Sequence, residues 1–311
     1  MNSGLKVFAP ASVANLGVGY DILGLALEKP GDEIIVRFNN DRKGLAITKI
    51  TGASGKLPTD VDQNTAGVAA MALLEHLGET ERGIDMEIHK KMPFASGLGS
   101  SAASAAGAVM AINELFRRPL QKRALLPFAV LGEQAADGAY HADNVGPSLL
   151  GGIALIRGGR SLDFQRIPYP AGLYVVVLHP KVQIKTKEAR GILSDQVALS
   201  NVIEQTGNLA GLVIGLYNTD LELIKRCLND VLIEPQRAKL IPHFAEIKDK
   251  ALNAGALGCS ISGAGPSIFA LCANSIIAED VSIKMQNVLQ KNKIDSNLYV
   301  SKINSEGAIL L

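Results

Sequence analysis

The stretch Pro93–Ser104, PFASGLGSSAAS, constrains this chain more than any other. Gly97 and Gly99 lack a Cβ, so they permit a tight turn and a close approach of backbone to an anion. A helix of Ala, Ser and Gly is predicted directly after them, from about Ser101 to Leu115. Its first N–H groups have no intrahelical acceptor, and its macrodipole adds partial positive charge there. A phosphate chain suits such a pocket, and the hydroxyls of Ser100 and Ser101 suit a phosphate oxygen or a phosphate-bound Mg²⁺. A Walker A loop is excluded because no Lys follows the glycines. GLGSSA formally fits the dinucleotide pattern, but Pro93–Ser96 separate it from the preceding strand, and no acidic residue ends a second strand about 20 residues on. A Gly/Ala-rich helix packed on a sheet accounts for the same residues without a ligand. GASGK (52–56) looks like a truncated phosphate loop but falls in a predicted hairpin turn.

The rest of the composition narrows the class. The chain has 311 residues, 47% hydrophobic and 20% charged, with a formal net charge of +1. That is enough apolar material for one large or two ordinary domains and excludes a disordered chain. No basic block tracks a nucleic-acid backbone. Cys227, Cys259 and Cys272 fit neither a disulfide framework nor a metal site and read as buried small hydrophobes. The N-terminus lacks a signal-peptide profile, and the uncharged stretches Met92–Asn113 and Asn253–Ala278 are broken by Gly, Ser and Pro. The expectation is a soluble, cytoplasmic protein.

Along the chain, 31–50 read as two strands around Asn39-Asn40-Asp41, 64–78 as a helix capped by Asn64 or Thr65 and stopped by Gly78, and 83–90 as a strand. A helix is predicted over about Gln121–Ala136, leading into the polar segment DGAYHADN. The Gly- and Pro-containing stretch Arg157–Pro170 is the expected domain boundary. After it come a strand at 173–178, helices to about 253, strands at 256–262 and 267–273, a helix at 278–291 and a strand at 297–303. That order suggests an α+β plait of the split βαβ kind.

Two further clusters accompany the glycine loop. APASVANLGVGYDILGLAL (9–27) concentrates Asn15, Gly17, Gly19 and Asp21 in an apolar run, as an irregular loop holding polar groups toward a cavity or as an ordinary Asn-Gly turn between strands. SISGAGPS (260–267) is a second glycine-rich turn, by itself a hairpin. Alone, Arg190 and Arg237 read as solvated helix charges, His141 as a turn histidine and Glu133 as a solvated carboxylate.

In this order and at these separations, the three motifs resemble the signature motifs of the GHMP kinases, small-molecule kinases named for galactose, homoserine, mevalonate and phosphomevalonate. YHADNVGPSLLGG (140–152), KTKEAR (185–190) and EPQR (234–237) extend the resemblance over nearly the whole chain. It implies an α+β, two-domain fold: an N-terminal ribosomal-protein-S5-domain-2-like α/β domain over 1–160 and a C-terminal ferredoxin-like plait over 161–311. The activity it implies is ATP-dependent phosphorylation of the L-homoserine hydroxyl to O-phospho-L-homoserine, on the way to threonine.

The resemblance also implies site residues. Pro93, Phe94, Ala95, Ser96, Gly97, Leu98, Gly99, Ser100, Ser101, Ala102 and Ala103 wrap the ATP phosphates, and Asn64 lies near the adenine. Ser101 and Glu133 are the protein ligands of Mg²⁺, which keeps waters and phosphate oxygens for the rest. Asn15 and Asp21 bind the amino and hydroxyl end of the acceptor, Asp21 pairing with the ammonium. Arg190 and Arg237 clamp its carboxylate, helped by Thr186 and His141, and Gly263 joins the substrate-binding set. A planar carboxylate matches the fork of an arginine, which supports that pairing independently. Asn144 stands where mevalonate-type relatives carry an aspartate base, and Asp143 is expected to point elsewhere. Transfer is therefore expected without a side-chain base, relying on positioning and electrostatics. Val18 replaces the usual Pro and Tyr20 the usual Phe; the added hydroxyl either tightens substrate binding or faces solvent. A homodimer is implied as well. The alternatives are another small alcohol such as mevalonate, a sugar or an isoprenoid-precursor alcohol, or a regulator that binds ligand without turnover.

Overall fold

The computed structural model describes residues 4–93, 95–137, 142–157, 162–184 and 186–311, without the side chains of 136, 137, 186 and 187. The chain begins with β1 (Leu5–Ala14) and the long β2 (Leu23–Phe38), then β3 (Leu45–Thr51). Helix α1 (Thr65–Leu77) starts as its sequence dictates: the Asn64 side chain accepts from the Ala66 N–H, and Gly78 closes it in the left-handed conformation. β4 (Ile84–His89), α2 (Ser100–Leu115), α3 (Leu126–Asp137), α4 (Ala142–Leu150), β5 (Ile153–Arg157) and β6 (Asp163–Ile167) follow. Among the described residues, β1–β6 and the C-terminal β11 (Ile309–Leu310) form a seven-stranded sheet.

The two strands expected around Asn39-Asn40-Asp41 are present as β2 and β3, and β4 lies between them, antiparallel to β2 and parallel to β3. The turn at 52–56 therefore leads to α1 rather than closing a hairpin. Most of 9–27 is also strand; only the loop 15–22 between β1 and β2 is irregular, with Asn15, Leu16, Gly17 and Asp21 all at positive φ. The expected division at 160/161 cuts the antiparallel β5–β6 hairpin, and β11 brings the chain's end back beside β1.

The second unit is the plait its element order suggested. β7 (Tyr174–Pro180), β8 (Gly258–Ile261), β9 (Ile268–Cys272) and β10 (Ser296–Lys302) form an antiparallel sheet in the order β10-β7-β9-β8. Between β7 and β8 run α5 (Thr186–Gly191), α6 (Leu199–Asn218), α7 (Leu221–Cys227), α8 (Glu234–Arg237) and α9 (Phe244–Asn253), and α10 (Ser275–Lys291) joins β9 to β10. Helix α2 is wedged against the first sheet because its residues are small. A Cβ on Gly107 would meet Ile34 Cγ1 at 2.7 Å and Ala9 Cβ at 3.2 Å. All three cysteines are free and buried. Among the described residues no helix is long and apolar enough to cross a membrane.

Candidate functional site

A cavity of about 610 Å³ gathers the three glycine motifs. Their mutual bonds orient the central loop. Leu98 C=O accepts from Ser12 N–H at 3.0 Å, Ser96 C=O from Ser267 N–H at 3.2 Å and Gly97 C=O from the Ser262 hydroxyl at 2.6 Å. The loop's carbonyls are thus held by the flanking motifs. Gly97 (φ +75°) and Gly99 (φ +62°) leave no room for a side chain: a Cβ on Gly97 would strike Ser262 O at 2.5 Å, and one on Gly99 would collide with the Ser12 hydroxyl. Gly99 caps α2 without a side-chain hydrogen bond, so the first N–H groups of that helix stay available. The Ser96 and Ser100 hydroxyls are buried without a hydrogen-bond partner and line the cavity. These are the features of an anion cradle.

Ser101, at the start of α2, donates to Glu133 Oε1 at 2.7 Å from α3. Two hard oxygens that close match adjacent corners of an octahedron with bonds of about 2.1 Å, so this pair fits Mg²⁺. Among the described residues no group of three His, Cys, Asp or Glu could hold a metal; an ion at this pair would need its other ligands from phosphate and water.

A second polar group lines the cavity from the 9–27 motif and the plait. Arg237 is 3% exposed; it donates to Ala189 O at 2.9 Å, Gly263 O at 3.1 Å and the Tyr20 hydroxyl at 3.1 Å. Its short helix is held by Asp230, whose carboxylate accepts from the N–H groups of Leu232, Ile233 and Glu234. Arg190 reaches Asp21 Oδ1 at 3.3 Å, and both guanidinium groups lie over the Tyr20 ring, at 5.8 Å for Arg190 and 5.0 Å for Arg237. The Tyr20 hydroxyl is thus not idle: it anchors Arg237. Asn15 accepts from Asp21 N–H at 3.1 Å and donates to Gly263 O at 3.0 Å, tying the first motif to the third.

The cavity therefore brings together Asn15, Asp21, Asn64, Ala95, Ser96, Gly97, Gly99, Ser100, Ser101, Glu133, Asn144, Arg190, Arg237 and Gly263. Pro93, Leu98, Ala102 and Ala103 do not line it. The last three are fully buried in the core; for Ala102 and Ala103, the side of α2 that holds the sheet cannot also face a ligand. Phe94 and His141 lie outside the described residues, as does the Thr186 side chain. Asn64 spends its carbonyl capping α1 and donates to Pro58 O at 2.8 Å.

Sequence reasoning missed two groups. Asp143, expected to point elsewhere, lines the cavity and is 2% exposed. Burial, reinforced by the charges of Asp21 and Glu133, pushes its carboxyl up to about 7. Its neighbour Asn144 accepts from the Ser12 hydroxyl at 2.8 Å. Lys90 is ion-paired with the fully buried Asp32 and donates to Ser100 O at 2.6 Å and Ser104 Oγ at 2.7 Å. This pins the end of β4 to the start of α2. Burial lowers the Lys90 pKa, against the raising effect of Asp32. Lys90 sits in a polar run, HKKM, and nothing local distinguishes it from Lys91.

Residues 64–152 match the GHMP kinases N terminal domain and 212–291 the GHMP kinases C terminal. The homoserine kinase of Chlorobium phaeobacteroides (strain BS1) is 43% identical over 312 residues, covering 97% of either chain. That of Chloroherpeton thalassium is 44% identical over 314 residues, covering 98% of either chain. The crystal structure of homoserine kinase from Cytophaga hutchinsonii superposes with a TM-score of 0.97 at 48% identity, covering 100% of this chain and 98% of that one. The L. major mevalonate kinase, solved with R-mevalonate, shares the fold at 18% identity, with a TM-score of 0.73 over 96% of either chain.

Proposed function

The chain belongs to the GHMP kinase family and is a phosphotransferase with an alcohol acceptor, and from that premise we propose that its cavity takes ATP and L-homoserine and returns ADP and O-phospho-L-homoserine. The observation that carries this reading is the pairing, in one cavity, of a Cβ-intolerant anion cradle with Arg190, Arg237 and Asp21. The cradle receives the nucleotide phosphates through backbone N–H groups and the Ser96 and Ser100 hydroxyls. Asn64, with Leu57 and Pro58 beside it in the cavity wall, receives the adenine. Ser101 and Glu133 hold Mg²⁺, which when bound neutralises charge on the phosphate chain.

The acceptor's carboxylate goes to Arg190 and Arg237 and its ammonium to Asp21, so ligand replaces the Arg190–Asp21 contact with one partner for each residue. An amine and a carboxylate together distinguish homoserine from mevalonate, which has only the second. Asn144, its carbonyl held by Ser12, keeps amide hydrogens for the reacting hydroxyl. An amide cannot take the proton, so the hydroxyl proton passes to the transferred phosphoryl group, as a loose transition state permits. Asp143 supports a second reading: a cavity carboxyl near 7 is matched to accept a proton at neutral pH. The two separate by pH profile. Under the second reading, kcat/KM shows a limb near pH 7 that Asp143→Asn removes; without a base, the limb is absent.

The substrate test is ADP release with Mg-ATP and L-homoserine, beside serine, threonine, mevalonate and galactose. Turnover with homoserine above the others is expected; equal or greater turnover with mevalonate or galactose overturns the acceptor assignment. No ADP release with any acceptor favours a ligand-binding regulator.

A further inference from the structure

A second void, of about 10 Å³, lies against Arg237. Asn15, Arg237 and Gly263 line both it and the large cavity, and Asp230, Glu234 and Ser260 complete its polar wall. Glu234 opens α8 and is 8% exposed. Its Oε1 accepts from Lys248 Nζ at 2.5 Å, which ties α9 to α8. Its Oε2 is buried without a hydrogen-bond partner. A carboxylate oxygen taken out of water needs a donor, and no group named so far supplies it.

The other groups around the void have hydrogen-bonding capacity left over. Arg237 gives one N–H each to Ala189 O, Gly263 O and the Tyr20 hydroxyl and has others to spare. The Ser260 hydroxyl, in a residue 2% exposed, is bonded to no other group among the described residues. Asp230 is taken up by the N–H groups of Leu232, Ile233 and Glu234. The volume matches the room that one water molecule needs. The charges on the wall and its pair also cancel, Arg237 and Lys248 against Asp230 and Glu234, so a neutral occupant suits the void better than an ion.

We propose that the void holds one ordered water, which donates to Glu234 Oε2 and Ser260 Oγ and accepts from Arg237, and that Glu234 is through it a positioning residue for the acceptor's carboxylate. The second half rests on the reading of Arg237 as the partner of that carboxylate. A relay explains why the glutamate stands three residues before the arginine on one short helix without pairing with it. A direct ion pair would commit the guanidinium's charge to the protein's own carboxylate and set that carboxylate against the acceptor's. A water orients the guanidinium from the second void and leaves its charge for the ligand.

A crystal structure of the full chain without ligands tests the water, and steady-state kinetics test the positioning. One water within hydrogen-bond distance of Glu234 Oε2, Ser260 Oγ and Arg237 is expected. A dry void, or one filled by a side chain or a metal ion, would overturn the proposal. Glu234→Leu, similar in size but without an acceptor, should raise KM for homoserine ~10-fold or more while kcat and KM for ATP stay within about twofold. Glu234→Gln keeps an oxygen for the water and should hold KM within ~3-fold of the wild type. Ser260→Ala should raise KM ~3-fold and, added to Glu234→Leu, should raise it no further, because both act through one molecule. An unchanged KM in Glu234→Leu, a loss confined to kcat, Glu234→Gln as damaging as Glu234→Leu, or effects that multiply would each overturn the positioning role. Where the leucine chain does not fold, Ser260→Ala decides, since it leaves the Glu234–Lys248 pair intact and an unchanged KM there overturns the role as well. A wild type that does not turn over homoserine counts against the kinase reading, and the electron density still decides the water.

Discussion

Around Gly97 and Gly99 the cavity wall is backbone and short hydroxyls, locked by bonds to two other loops; around Arg237 it is long charged side chains drawn from separate segments. The first region is organised before any ligand arrives and has no slack, because its atoms already touch. In the second, Asp21 and Arg190 neutralise each other, with side chains 36% and 41% exposed, while Arg237 is buried and held on three sides. A phosphate chain can be bound by fixed dipoles, whereas a zwitterion needs opposite charges that must also be kept apart from each other.

The sharpest way to break this contrast is Gly99→Ala. The added methyl collides with Ser12 and crowds Asn144 in a backbone conformation that disfavours it, so kcat/KM should fall ~10³-fold with the fold retained. Near-normal turnover would show that the cradle has slack after all. Arg237→Ala should come next: loss of a buried partner for the carboxylate costs about 2–5 kcal/mol, read mainly as a raised KM for homoserine. An unchanged KM would move the acceptor elsewhere. Glu133→Ala should lower kcat roughly 10- to 100-fold and raise the Mg²⁺ concentration giving half activity; an unchanged Mg²⁺ titration would remove it from the metal site.

Asp143 provides a pH test. Its carboxyl, near 3.8 when unperturbed, titrates near 7 when folded. Between those values the folded chain holds a proton that the unfolded chain has released, so its contribution to stability declines as pH rises from about 4 to 7. Asp143→Asn should thus match the wild type in acid and exceed it above pH 7, by on the order of a few kcal/mol. A pH-independent difference would place the carboxyl in contact with water. The smallest effect is expected from Tyr20→Phe, which keeps the ring and removes one hydrogen bond to Arg237. KM for homoserine should rise about 3- to 10-fold at constant kcat.

The two regions were also unequally legible in the sequence. The cradle could be read locally: glycines, hydroxyls and the following small-residue helix stand in one stretch, and Asn64 and Gly78 bound α1 by ordinary capping. The plait followed from element order, since strand, helices, strand, strand, helix, strand admits few right-handed solutions. The Arg190–Arg237 group came only through resemblance, because each arginine by itself reads as helix surface. Asp143 was misjudged for a related reason: nothing in HADN shows that its carboxyl will be buried near Asp21 and Glu133.

What the sequence determined by itself was whatever neighbouring residues settle between them: caps, turns, and a helix start stripped of side chains so that its amides can meet an anion. The tertiary structure alone decided that β4 separates β2 from β3, that β11 closes beside β1, that Tyr20 holds Arg237, and that Lys90 is sunk against Asp32. Those outcomes depend on which distant surfaces exclude water together. Burial of that kind shifts a carboxyl toward neutrality or fixes a guanidinium in place, and no short stretch of chain contains both partners.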